Sequence, residues 1–363
     1  MKSFLRILLC LVFLTLFSSL SIYAQLNIQA IDVSGDSISK GFNAGNSAPC
    51  SNGDQENYNW ITSITNSGNS CSSGSENVFS VVERLACDSG TNILAPNPNH
   101  AASGARMLSD FVNQSNNIKT YLSAQNGQRL AAVFLGHNDV CSGNATKTNT
   151  SCTSSDLEPS NYCRTKNDSF EREFRKGLDI LMTTPNTRIA VSSPVRVSQL
   201  CNFGSKTNCQ LSGSCSFLWG LVNICASVTK DCSDTRIIDG YNTMKGFRDI
   251  LKRVTEEYAA IPIGGSSQVL VIGGQTVGGA IKASGTDLIY SDAAWNYKFN
   301  SNQLSCCDCF HPSPTGQNSL ARFAKVGLTC NRLNPCCKET GDALTDGKCA
   351  VTEKKQKFYR GLL

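Results

Sequence analysis

Six consecutive apolar residues, Leu130-Ala131-Ala132-Val133-Phe134-Leu135, constrain this chain more than any other stretch. A strand that is apolar on both faces must be covered on both, which marks a central strand of a parallel sheet. Related runs recur at Ile28-Gln29-Ala30-Ile31-Asp32-Val33, Arg188-Ile189-Ala190-Val191 and Val269-Leu270-Val271-Ile272, and Ile93-Leu94 suggest a short second strand. Helical spacing falls between them: Val78, Val81, Val82 and Leu85, then Met107, Leu108, Phe111 and Val112, then residues 168–182 and 237–258. A last helix carries Leu320, Ala321, Phe323 and Ala324. Strands alternating with helices predict an α/β fold, a doubly wound (flavodoxin-like) parallel sheet flanked by helices. At 363 residues the chain suits a single domain of this kind, with disulfide-stapled loops.

Residues 1–24 read as a signal peptide. Lys2 and Arg6 make a basic start, Ile7 to Phe17 an apolar core, and Ile22-Tyr23-Ala24 a cleavage site before Gln25. Ser18, Ser19 and Ser21 interrupt the apolar run, which argues against an anchor, and no later segment reaches a membrane-spanning length. The expected organisation is a leader over 1–24, the main domain over 25–329, and a Cys-rich tail over 330–363 packed on that domain. Of the 19 cysteines Cys10 falls in the leader, which leaves an even number. That suits disulfides and a secreted protein, extracellular or periplasmic, with connectivity left open. Cys306-Cys307-Asp308-Cys309-Phe310-His311 crowds five potential ligands into six residues. Adjacent ligands close a tetrahedral site poorly, so disulfides are expected there, with no metal and no cofactor.

Charge narrows the partners. The net charge is +5, and the only basic cluster is Lys354, Lys355 and Lys357, so there is no nucleic-acid footprint. No obligate protein partner is evident. Asn113, Asn144, Asn149 and Asn167 stand in Asn-x-Ser/Thr contexts, which matter only in a glycosylating host. The glycines of 273–279 fit neither a dinucleotide nor a phosphate loop and read as turns. Phe217, Leu218, Trp219, Leu221 and Val222 form either a lipid-facing wall or the packed base of a loop.

Two strand ends, a helix start and a late turn carry groups able to do chemistry. The first strand runs into Gly35-Asp36-Ser37-Ile38, where Gly35 permits a sharp bend and Ser37 begins the next helix. A hydroxyl at the carboxyl end of an inner strand is placed for nucleophilic attack, although a plain helix N-cap reads the same way. Gly104, opening the following helix, either offers its N–H to an anion or is a turn glycine. The apolar strand ends in Gly136-His137-Asn138-Asp139, so the Asn138 amide faces the same edge as Ser37 unless it only shapes the turn. A serine nucleophile needs a base, and the chain holds three histidines, His100, His137 and His311. His311 follows Asp308 by three residues, and on a tight turn that carboxylate reaches its Nδ1–H and fixes the tautomer.

Taken in order, Gly35-Asp36-Ser37-Ile38, Gly104 within Asn99-His100-Ala101-Ala102-Ser103-Gly104-Ala105, Gly136-His137-Asn138-Asp139 and Asp308-Cys309-Phe310-His311-Pro312 resemble the four blocks of the SGNH, or GDSL, ester hydrolases. Asn138-Asp139-Val140-Cys141 and the last block are most similar to secreted members and to the phospholipase B-like branch. Ile38 stands where Leu is commoner, and His137 fills a variable site. No Gly-x-Ser-x-Gly elbow is present, which disfavours the ordinary α/β-hydrolase fold. The resemblance implies a catalytic Ser37, Asp308 and His311. It further implies an oxyanion hole from the backbone N–H groups of Ser37 and Gly104 and the side chain of Asn138. The implied activity is that of a secreted serine esterase or lipase, a phospholipase or lysophospholipase among them. Its partner is an ester substrate, at a lipid or membrane surface. The alternatives are a carbohydrate O-acetyl esterase on the same scaffold and a non-catalytic secreted binding protein.

Overall fold

The computed structural model describes residues 28–45, 49–64, 78–89, 98–141, 151–152, 164–222, 224–229 and 232–329. The expected leader, the Cys-rich tail and the strand expected at Ile93-Leu94 lie outside them. Four parallel strands pair in chain order: β1 (Ile28–Gly35), β2 (Gln128–Phe134), β3 (Thr187–Ser192) and β4 (Asp287–Ser291). The six longest helices among the described residues are α1 (Val81–Ser89), α2 (Phe111–Ser123), α3 (Asn167–Leu181), α4 (Cys215–Val222), α5 (Asp234–Ala260) and α6 (Pro314–Thr329).

Alternation along the strands divides the core in two. Ala30, Ala131, Val133, Ile189, Val191 and Leu288 face α2, α3 and α5, meeting Phe111, Phe174 and Phe247. Ile31, Val33, Leu130, Ala132, Phe134 and Ala190 face α1 and α6, where Trp60, Leu85, Leu320 and Ala321 pack. Both faces are covered, as the apolar run of β2 requires. Gly35 pairs with Phe134 at the end of β1, so the turns after β1 and β2 emerge side by side on one edge.

Four local expectations are corrected. Val269-Leu270-Val271-Ile272 does not join the sheet. Leu270–Ile272 pairs antiparallel with Gln275–Val277 across Gly273-Gly274, both at positive φ, the two-residue hairpin turn that diglycine favours. The fourth strand is instead Asp287–Ser291, hard to see in sequence because it is partly exposed and lacks a long apolar run. No helix follows Ser37: the chain winds through successive turns over 37–43, ending with Gly41 and Asn43 at positive φ. Helix α2 begins at Phe111 rather than near Gly104, which sits in a separate turn. Among the described strands β1 is an edge strand, not an inner one.

Candidate active site

Ser37 is held by the frame beneath it. Gln114 of α2 grips the end of β1: its Oε1 accepts the Ser34 hydroxyl at 2.6 Å and the Gly35 N–H at 3.0 Å, and its Nε2 donates to the Gly35 carbonyl at 3.0 Å. A Cβ on Gly35 would fall 2.3 Å from Ser39 Oγ, so the bend closes only on glycine. Asp36 Oδ1 accepts the Ile38 N–H at 3.0 Å, and Gln317 of α6 donates to the Ile38 carbonyl at 3.0 Å. The turn is therefore tied to both faces of the sheet.

His311 arrives from the far end of the chain on a loop closed by the Leu304–Pro312 bridge. Its Nε2 lies 2.8 Å from Ser37 Oγ, and its Nδ1 lies 2.7 Å from Asp308 Oδ2. With the ring proton on Nδ1, facing the carboxylate, Nε2 is free to accept the serine proton. Asp308 Oδ1 takes the N–H groups of Phe310 and His311 at 2.9 and 3.0 Å, and Asn43 Nδ2 donates to Oδ2 at 3.0 Å. Burial opposes charge on Asp308, but the charge and hydrogen bond of His311 and these N–H groups outweigh it. They hold its carboxyl below the usual carboxylate range.

Three disulfides fix this loop: Cys306 to Cys209, Cys307 to Cys50 and Cys309 to Cys215. Cys309, between the carboxylate and the imidazole, adopts a left-handed backbone at φ 57°, a conformation that the crosslink and the Asp308 turn enforce. Cys50, Cys209 and Cys307 bring their sulfurs within 4.8 Å of one another, yet each is already in a disulfide and has no thiolate to offer a metal. Cys141–Cys225 and Cys201–Cys232 staple the excursion over 200–232. Trp219 of that excursion is buried and donates from Nε1 to the Asp308 carbonyl at 3.1 Å.

Gly104 and Asn138 line the same cavity as Ser37 and His311. Gly104 is at φ 83°, a backbone that only glycine adopts cheaply. Asn138 Nδ2 donates one hydrogen to the Ala105 carbonyl at 3.0 Å, leaving the other for the cavity. No acceptor among the described residues takes the backbone N–H of Ser37 or Gly104. Asp139 couples the two blocks, accepting the Met107 N–H at 2.7 Å and the Thr165 hydroxyl at 2.6 Å. Burial raises its carboxyl above the ordinary value despite these bonds and the charge of Arg106. The cavity measures about 590 Å³, and Phe42, Leu211, Leu218, Val222, Ile224 and Phe310 supply apolar walls.

Every residue singled out from the motifs thus meets at one edge of the sheet. The other two histidines do not point there. His137 Nδ1 lies 2.7 Å from Asp36 Oδ2, and its Nε2 accepts the Val195 N–H at 3.0 Å. His100 Nδ1 lies 2.7 Å from Asp32 Oδ2 on the α2 side. Sequence reasoning missed Asn43, Gln114 and Gln317 as supports. Only the position of Asn43, six residues after Ser37 and in a turn, hinted at a role.

A hydroxyl bonded to an imidazole that a carboxylate orients, beside three free donors, is an arrangement for acyl transfer. A family model described as GDSL-like Lipase/Acylhydrolase matches residues 33–323. A crystal structure described as that of a GDSL-like lipase from Parabacteroides merdae ATCC 43184 is similar over 84% of this chain and 98% of its own. It is 13% identical, with a TM-score of 0.40. No curated protein matches the chain.

Proposed function

The chain belongs to the GDSL-like lipase/acylhydrolase family and is an ester hydrolase of that kind; from that premise we propose that it works as a serine hydrolase on lipid esters through an acyl-enzyme. Ser37 Oγ attacks the ester carbonyl carbon as its proton passes to His311 Nε2. The negative charge that gathers on the carbonyl oxygen is met by the N–H groups of Ser37 and Gly104 and by the Asn138 amide. His311 returns the proton to the departing alcohol oxygen, the C–O bond breaks, and the acyl group stays on Ser37. Water then gives a proton to His311 and attacks the acyl carbon; the bond to Ser37 Oγ breaks as His311 passes that proton to Oγ, which frees the acid and restores the serine. Asp308 keeps the imidazole in the tautomer that accepts from oxygen.

The observation that carries this reading is the chain of contacts Ser37 Oγ, His311 Nε2, His311 Nδ1 and Asp308 Oδ2, at 2.8 and 2.7 Å. A lipid acyl group is favoured over acetyl because the cavity beside Ser37 is walled by Leu211, Leu218, Val222 and Ile224 and is far larger than an acetyl group fills. We also propose that the protein is secreted into an oxidising compartment, a reading supported by the five disulfides among the described cysteines and the leader-like start.

The test is fluorophosphonate labelling together with turnover of p-nitrophenyl esters of increasing chain length. Label on Ser37, loss of both label and turnover in a folded Ser37→Ala variant, and a higher kcat/KM for long acyl chains are expected. Unchanged turnover in Ser37→Ala would refute the mechanism. A preference for acetylated glycan over lipid would move the substrate to carbohydrate esters.

A further inference from the structure

We propose that the outer face of α4 seats this protein on an uncharged lipid–water interface with the mouth of the active-site cavity turned toward it. The inference rests on the ester-hydrolase reading and adds a docking surface to it. Phe217 and Leu221 lie four residues apart on one face of the helix and are 57% and 56% exposed. Val222 and Leu211 are about half exposed as well. The opposite face is fixed: Leu218 and Trp219 are buried, and Cys215 is crosslinked to Cys309 in the His311 loop. The helix is rigidly joined to the catalytic loop while Phe217 and Leu221 stand in water.

Single exposed apolar residues need no explanation, but a cluster at a pocket mouth does. Leu211 and Val222 belong to both the exposed cluster and the cavity wall, so the apolar surface continues from outside toward Ser37. A protein seated there would cover the entrance. A lipid phase would feed it. Charge selects the kind of lipid: from Thr207 to Thr229 the sequence holds no Asp, Glu, Lys or Arg. The flanking Lys206 turns its ammonium to the carbonyls of Ser301 and Leu304, both at 2.6 Å. Anionic surfaces are read by clustered basic residues, and residues 207–229 supply none. Adsorption then depends on apolar area alone and favours a zwitterionic surface such as phosphatidylcholine.

Phe217 and Leu221 lie outside the cavity lining, so their replacement leaves the reaction site intact. Co-sedimentation of the oxidised full chain with phosphatidylcholine vesicles should show binding that changes little from low to high salt. The double variant Phe217→Ser/Leu221→Ser should lower vesicle partitioning roughly a hundredfold, about tenfold for each side chain withdrawn from lipid. Its hydrolysis of a soluble short-chain ester should match that of the unaltered protein, and Phe217→Leu should keep most of the binding. Equal sedimentation of the double and unaltered proteins would overturn the proposal. So would a change in self-association with vesicle binding unaffected, which would make the patch a contact between copies. Binding confined to phosphatidylglycerol vesicles and abolished by salt would overturn it too. Failure of the unaltered protein to turn over any soluble ester would instead strike the hydrolase reading, because sedimentation scores binding without catalysis.

Discussion

His311 and His137 each hold a buried carboxylate at 2.7 Å through Nδ1, Asp308 in one case and Asp36 in the other. They part company at Nε2. In His311 that nitrogen faces the Ser37 hydroxyl, while in His137 it accepts the Val195 N–H. Taking up a proton there would cost His137 that bond, so its pair links the turns after β1, β2 and β3 and has no lone pair free for chemistry. Support differs too. The Asp36–His137 pair is packed into the sheet edge, whereas Asp308–His311 rides a loop with little sheet beneath it and is pinned by three disulfides. A carboxylate–imidazole pair is therefore not in itself a base; what the second nitrogen faces decides its role.

The largest effect that can break this comparison is at His311. His311→Ala should lower kcat about 10⁴-fold or more while the protein remains folded, as loss of a triad base does elsewhere. His137→Ala, assayed beside it with the same ester, should lose far less at the chemical step. Comparable losses in two folded variants would erase the distinction. Next comes the donor that neither histidine provides: Asn138→Ala should reduce kcat about 10²–10³-fold with little change in KM, the usual result of removing one oxyanion donor. A change confined to KM would mean that Asn138 binds the ground state only.

These two regions were not equally visible in the sequence. Ser37, Gly104, Asn138 and His311 sit in short blocks at strand ends or in one tight turn, where local composition and geometry go together. The supports are long-range and leave no local mark. Gln114 reaches Gly35 across 79 positions, and Cys50 meets Cys307 across 257. The partner of His137 was equally hidden, since Asp139 is its near neighbour in sequence and Asp36 its neighbour in space. For the fold, β2 was legible because both of its faces are buried, whereas β4, a partly exposed edge strand, had no such signal. The short second strand expected at Ile93-Leu94 lies outside the described residues.

The different supports give two stability predictions. Replacing Cys215 and Cys309 together by alanine opens a crosslink spanning 94 positions and should cost about 2–4 kcal/mol in chemical denaturation. Activity should fall with it, because Cys309 lies between Asp308 and His311. His137→Ala should cost about 1–3 kcal/mol, since it leaves the Asp36 carboxylate and the Val195 N–H buried without their partner. If the disulfide variant kept full activity, the loop would not need its crosslink to place the imidazole.

The smallest effect separates two carboxylates that both face an imidazole. Burial opposes the charge on each. At Asp308 the contacts to His311 and the loop N–H groups prevail and its carboxyl is lowered; at Asp32 burial prevails and the carboxyl is raised in spite of His100. The hydrogen bond to Asp32 in turn raises the His100 imidazole, against the burial that would lower it. A carboxyl lowered by folding adds stability that is complete above its ordinary pKa of about 3.9 and is lost as pH falls through the lowered value. Groups raised by folding act in reverse. The His100 contribution is complete below about 6.5 and is lost as pH rises through its raised value, and that of Asp32 declines upward from about 3.9. Asp308→Asn should therefore flatten the acid limb of stability, and Asp32→Asn the decline toward neutral pH. Denaturant unfolding at pH values from about 3 to 8 measures both slopes. If the two variants flattened the same limb, the carboxylates would be equivalent and only the position of Ser37 would distinguish the active histidine.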